Sequence, residues 1–363
     1  MKWEVAVIGG GAIGAAVAYE LGARARLGVT VIDDPTASGA ASRAAGGVLV
    51  AGGIDARPGF WFSVRRHSAR LFAEWVHEVS RRAGWEISYR RGCVFHLAQS
   101  SNEATRWRAV VAERAPVSGA CRWIDANELK EAEPGVADSV VGAAWFAEDA
   151  LVDPRALLGG LRRAAQAGGV NWREDRVAAL VPETKGVRIL CRSGDEVEAE
   201  QVVVAAGAGS RDLLAPLGIR LPLVGVRGEM ARLRSSRQGE PVAFAAPQGV
   251  VQLRCEQLWV GGNKEKTLDP AHVSASGLAA LLELARQTCR RHVVGDMLEV
   301  RAGLRPCSTV RHPLLGRPKG AEWVLVATGH HRSGILLAPV TALLVRQTIL
   351  GQEPAVPLAA FAW

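Results

Sequence analysis

The stretch "VIGGGAIGAAVAYELG", residues 7–22, constrains the fold more than any other part of the chain. Before it, "WEVAVIGG" is a short run rich in valine and isoleucine that stops at glycine, which reads as a buried strand. After it, Ile13, Val17 and Leu21 recur at helical spacing. Between strand and helix, Gly9, Gly11 and Gly14 complete G-x-G-x-x-G in the context that this pattern needs to carry meaning. The first glycine permits a tight turn, the second lets backbone approach a pyrophosphate, and the third lets helix and strand pack closely. Ala12 and Ile13 open the helix, whose N-terminus supplies N–H groups and positive potential for phosphates. An α/β fold of the Rossmann type is expected.

A second strand, "GVTVID", ends in Asp33, nineteen residues beyond Gly14. A carboxylate there accepts from the ribose hydroxyls of an adenosine, so an adenine dinucleotide without a 2′-phosphate is expected, held by Asp33 rather than Asp34. A nicotinamide domain would continue with another helix and strand. This chain instead runs through "DPTASGAASRAAGGVLVAGG". Small residues there, among them Ser42, Gly46 and Gly47, leave room for a bulky planar ring against backbone.

Further along, Val64, Leu71, Trp75, Val76 and Val79 predict a helix from about Phe62 to Ala83, and "GCVFHLA" a strand. Asp153 followed by Pro154 predicts a capped helix start. "VNWREDRVAALVPE", "GVRILCR" and "EVEAEQVVVAAGAGS" read as successive strands. The last is apolar throughout its end and reaches Ala206 and Gly207, placing it centrally in a parallel sheet. From "LPLVGVRGEMARLR" to "QLWVGGN" the residues alternate as in an antiparallel sheet of a second domain. "VLVATGHHRSGILLAPVTALLV" repeats strand, glycine turn and helix, and its helix N-terminus suits negative charge developing on a flavin.

Composition narrows the class. The 363 residues allow one large domain or two, and 48% hydrophobic with 22% charged residues is ordinary for a soluble globular protein. The six cysteines form no C-x-x-C pair, so no metal site is expected, and neither are an iron–sulfur site or a disulfide framework. The net charge of +8 is spread along the chain without a basic block, so nucleic acid is not an expected partner. The apolar run "GILLAPVTALLV" is too short to span a bilayer, and "MKWEVAVIGGG" passes into the glycine loop without a cleavage site. A cytoplasmic location with no membrane insertion is expected.

Taken in order, "VIGGGAIGAAVAYEL", "GAASRAAGGVL", "RRHSARLFAEW", "GCVFHLA", "VVVAAGAGS", "RAGLRPCS" and "VATGHHRSGILLAPVTALLV" resemble the D-amino-acid oxidase superfamily of FAD-dependent oxidoreductases, most closely its glycine oxidase branch. The resemblance implies a discontinuous FAD-binding domain (1–88, 143–218 and 298–363). A substrate domain (89–142 and 219–297) would be inserted twice, its antiparallel sheet roofing the flavin. It implies non-covalent FAD, with Gly46 and Gly47 along the isoalloxazine and Val177 near the adenine. Gly329, His331, Gly334, Ile335 and Leu336 would hold the flavin from the last turn. Arg305 would hold the substrate carboxylate, with Arg332 as a second arginine beside flavin and substrate. An arginine fork suits a carboxylate, and pinning it aims the α-C–H at flavin N5. His330 and His331 are read as hydrogen-bonding groups of the turn and His67 as structural.

The implied reaction is oxidation of glycine, sarcosine or a small D-amino acid, with hydride transfer to flavin. The imine is hydrolysed to a 2-oxo acid and ammonia, O2 reoxidises the flavin, and the imine can serve as thiazole precursor for thiamine. Alternatives are a dehydrogenase serving a quinone or partner subunit, a tRNA-modifying flavoprotein, and a flavin-binding subunit without its own chemistry. A homo-oligomer is possible within the resemblance. Two departures from the glycine oxidase pattern stand out. Val250 occupies the roof position of an expected tyrosine, and Val48 follows the Ala-Ala-Gly loop where methionine is expected. Both make the pocket more apolar.

Overall fold

The computed structural model describes residues 2–53, 59–118, 120–263, 265–266, 272–289 and 295–363. At its centre, strand Lys2–Ile8 lies parallel between Val29–Asp33 and Glu196–Val204. Asn171–Glu174 extends this eight-stranded sheet beyond Val29–Asp33, and Val324–Thr328 pairs parallel with the end of Glu196–Val204. Alternation divides the strand side chains between two layers. Val5, Val7, Val29, Val31 and Val203 face a core shared with helices Ala12–Ala18, Phe60–Ala83, Pro154–Ala167 and Gly334–Ile349. Ala6, Ile8, Ile32, Val202 and Val204 face a second core closed by the Val177–Glu183 and Gly186–Cys191 hairpin and by Leu214. Both faces being covered is why these strands are apolar without interruption.

The stretch expected as one strand over "VNWREDRVAALVPE" divides at Asp175–Arg176. Asp175 N–H donates to the Asp33 carbonyl at the end of one edge, while Val177 begins a strand on the opposite side of the sheet. Pro154 does open a helix, capped by the Asp153 carboxylate on the N–H groups of Arg155 and Ala156.

The second sheet has nine strands and is mixed rather than purely antiparallel, because Val242–Ala246 runs parallel to Val94–Ala98. These two strands come from separate excursions of the chain, so no hairpin dictates their direction. Gly142–Phe146 and Met297–Ser308 both pair inside this sheet. The boundaries expected at 143 and 298 therefore fall within strands of this sheet. Tyr89–Arg91 instead joins Val48–Leu49 and Ala150–Val152 in a small three-stranded sheet under the flavin-side loop. One face of the large sheet, with Leu97, Phe244, Val251, Leu253, Leu258 and Val260, is covered by helix Ala275–Cys289. Register places Arg305, Gly228, Gly261, Val250, Ala245 and His96 on the alternate positions facing the first domain.

Candidate active site

The glycine loop is shaped as its spacing requires. Gly9 has φ +99°, and a Cβ there would stand 2.7 Å from the Ala205 carbonyl oxygen. A Cβ on Gly14 would lie 1.8 Å from the Gly9 oxygen, so the helix can approach the turn only without one. Gly11 faces open space except for Ser42 Oγ, 3.1 Å from its would-be Cβ. Ser42 Oγ accepts from Ala12 N–H (3.0 Å), and Asp33 Oδ1 accepts from Gly10 N–H (2.8 Å). Asp34 is occupied with Thr36, leaving Asp33 as the acidic group at the loop. Arg43 reaches Asp33 Oδ2 at 3.2 Å. Gly11, the N-cap, carries no capping side chain, so the positive helix end is left to a phosphate. A dinucleotide fits this cradle.

Gly46 and Gly47 lie beneath the second sheet. A Cβ on Gly46 would meet Gln252 Nε2 at 2.7 Å, and Gly47, at φ +77°, would meet the Val152 oxygen at 2.1 Å. Arg254 ties both sides together, donating to the carbonyls of Gly46 (3.2 Å) and Val152 (3.0 Å). Gly303 likewise has no room for a side chain, because Ala44 Cβ would be 2.7 Å away. Close approach of sheet and loop thus depends on small residues on both. Val48, Ala245 and Val250 pack into one cluster with Cys93, Val94, Leu151 and Ala243. The two valines at positions of expected pocket residues thus pack against one small apolar cluster.

Arg305 crosses the space that Gly228 leaves free, where a Cβ would be 2.1 Å from its Nη2. Its Nη1 donates to the Asn263 carbonyl at 3.0 Å. Burial, and then the charge of Arg332, push its pKa below the usual arginine value. An antiparallel bridge between Cys307 and His330 draws together Arg305 and Arg332, each two residues from the bridge. His330 is buried, with Nε2 3.0 Å from Thr341 Oγ1, and burial pushes its pKa down to about 3. It is a neutral strut of the turn. Gly329 (φ +78°) and His331 (φ +52°) make the turn, Ser333 provides no side-chain cap, and Gly334 starts the helix. Leu336 is drawn into the core, and its carbonyl accepts from Ser68 Oγ at 2.6 Å. Gly207 lies near the same turn, its carbonyl accepting from Thr328 Oγ1, with Ala206 before it. Val177 packs in the outer core two residues beyond Asp175.

Sequence reasoning missed two features. Asp149 is fully buried and gathers the N–H groups of Ala51 (2.8 Å), Gly52 (2.7 Å) and Gly53 (3.1 Å), together with His96 Nε2 (2.7 Å). No motif surrounds it, because its partners are backbone groups about a hundred positions away. The other is Arg65, on the inward stripe of helix Phe60–Ala83. Its pKa is pushed down to about 10, by burial first and by Arg332 second. An arginine interrupting an apolar stripe was the available signal. Among the described residues no three His, Cys, Asp or Glu side chains converge on a metal site, and no helix is long and apolar enough to cross a membrane.

This chain belongs to the FAD dependent oxidoreductase family, whose model matches residues 4–348, and FAD is its cofactor. It is 30% identical to glycine oxidase of Geobacillus kaustophilus, over 99% of this chain and 96% of that protein. It is also 30% identical to the bifunctional protein ThiO/ThiG of Synechocystis sp., where it spans 53% of the relative's length. The crystal structure of the Geobacillus enzyme superposes with a TM-score of 0.91 at 28% identity, covering 99% of this chain and 98% of that one. Iminodiacetate oxidase from Chelativorans sp. BNC1 superposes with a TM-score of 0.89 at 25% identity, over 99% and 98%. The protein is an FAD-dependent enzyme of amino-acid oxidation.

Proposed function

We propose that the protein oxidises the C–N bond of a small amino acid at its α-carbon, in the manner of glycine, sarcosine or a D-amino acid, and passes the electrons to O2. The observation that carries this is Arg305, half-buried on the inner face of the roof, where it donates to the neutral carbonyl of Asn263. Such a group has one ready use, to seize a carboxylate bidentately and fix the adjacent C–H. Arg332, across the Cys307–His330 bridge, adds a second cation at the same end.

FAD, when bound non-covalently in the cradle of Gly9, Gly11, Ala12, Ile13, Gly14, Asp33 and Ser42, would accept the hydride. Gly46 and Gly47 provide a flat approach, with Val177, Ala206, Gly207, Gly329, His331, Gly334, Ile335 and Leu336 lining the remainder. The roof and the apolar cluster at Val48 and Val250 exclude water, which strengthens the arginine–carboxylate attraction. No protein base is required when the amine arrives neutral. The imine that leaves takes up water to give a 2-oxo acid and ammonia.

The names of the relatives support this chemistry, and the likeness to ThiO/ThiG supports a supply of imine for thiamine synthesis. The test is the visible spectrum of the purified protein without oxygen, with glycine, sarcosine and D-alanine added in turn. Bleaching of the flavin band supports the reading, and prompt recovery in air supports O2 as acceptor. Slow recovery would instead mark a dehydrogenase. A flavin that no amino acid bleaches would overturn the reading.

A further inference from the structure

Arg65 deepens this reading. It lies on the stripe Trp61–Arg65–Ser68–Phe72, at successive turns of helix Phe60–Ala83. Trp61 stacks on His312 with ring centroids 5.4 Å apart, and Ser68 Oγ donates to the Leu336 carbonyl. Arg65 is one turn before Ser68, and Arg332 is one turn before Leu336. The two helices run the same way, because Arg346 near the end of one meets Glu20, and Arg24, which also holds Glu20, reaches Glu78 near the end of the other. Arg65 and Arg332 therefore stand side by side at the active-site end of the helix pair, with Arg305 across the bridge from Arg332.

Several half-buried arginines elsewhere in the chain are held by a carboxylate. Arg66 has Glu148, Arg232 and Arg301 share Glu299, and Arg237 has Glu133. Around Arg65 and Arg305 the charge that is felt is another cation, Arg332, and no carboxylate among the described residues pairs with any of the three. Like charges brought together in a partly dry site oppose one another at a cost. A monocarboxylate held between Arg305 and Arg332 does not answer the charge of Arg65.

We infer that the amine oxidised here carries two carboxylates, an amino- or imino-dicarboxylate whose α-carboxylate sits on Arg305 and Arg332 and whose second carboxylate sits on Arg65. The inference rests on the amine-oxidising reading of the same site. It assigns Arg65 a role in choosing the substrate. The apolar cluster at Val48 and Val250 then bounds the carbon chain between the charged ends.

Sarcosine and iminodiacetate form the matched pair for the test, since they differ by one carboxylate on the N-substituent. With the holoprotein under anaerobic conditions, flavin reduction is expected to half-saturate at a roughly tenfold or lower concentration of iminodiacetate than of sarcosine. In Arg65→Gln that ratio is expected to fall to within about twofold, and Arg65→Lys should retain part of it. Methoxyacetate and oxydiacetate, which bear one and two carboxylates but no amine, provide a readout without turnover. Oxydiacetate should perturb the flavin spectrum at roughly tenfold lower concentration, and Arg65→Gln should remove the difference. Equal affinities within either pair in the wild type, or a preference that survives Arg65→Gln, would overturn the dicarboxylate inference while amine oxidation stands. If none of the amines bleaches the flavin, the amine-oxidising reading fails by itself, and the analogue pair still decides whether two carboxylates are recognised.

Discussion

Replacing Asp149 by asparagine tests how the loop before the arginine-bearing helix is held. The carboxylate accepts three backbone N–H groups and the ring N–H of His96, all in a fully buried position. A hydrogen bond to a charged acceptor contributes about 1.5–3 kcal/mol and one to a neutral acceptor about 0.5–1.5. Loss of charge therefore weakens the Ala51 and Gly52 bonds to Oδ1 by roughly 1 kcal/mol each, and the Gly53 N–H loses Oδ2 as acceptor at a cost of about 1 kcal/mol more. The new amide also presents N–H to a ring nitrogen that now donates, so His96 must change tautomer or lose its partner. The sum is about 3 kcal/mol, which at roughly 2 °C per kcal/mol for a large chain lowers the melting temperature by about 6 °C. Calorimetry of the holoprotein measures it. Residues 51–53 precede the helix of Arg65, so the half-saturating substrate concentration should also rise several-fold. A melting temperature within 1 °C of the wild type would refute the idea that a buried charge clamps this loop.

Gly14→Ala should yield protein with little or no flavin, read as the 450 to 280 nm absorbance ratio, because its Cβ would lie 1.8 Å from the Gly9 oxygen. Arg305→Lys keeps the charge but loses the fork, and kcat/KM should fall roughly 100-fold or more with folding intact by circular dichroism. His330 has a folded pKa of about 3, below the unfolded value near 6.5, so the unfolded chain binds the extra proton between these values. Its contribution is complete above pH 6.5 and is lost as pH falls, at roughly 1.4 kcal/mol per pH unit. Urea unfolding at pH 5 should therefore show about 2 kcal/mol less stability from this group than at pH 7, and His330→Gln should remove that part of the slope.

Local rules were enough for the dinucleotide half. Gly9, Gly14 and Asp33 are separated by distances that the strand–turn–helix unit itself fixes, so spacing alone locates the loop and its acidic partner. Asp153 and Pro154 mark their helix for the same reason, since a cap acts only on its own first turn. The roles proposed for Arg305 and Arg332 come from motif resemblance, each in a short stretch of recognisable order. What only the tertiary structure decided involves partners distant in sequence. The parallel pairing of Val94–Ala98 with Val242–Ala246 joins two excursions of the chain, so no local signal could reveal it. Asp149 serves backbone N–H groups, which every residue has and no sequence advertises. Arg65 gains its meaning only from the packing of its helix against Gly334–Ile349, which sets it beside Arg332. Sequence determined the cofactor cradle because its geometry is local. The proposed substrate end depends on tertiary structure, because Arg65, Arg305 and Arg332 come from three separate elements.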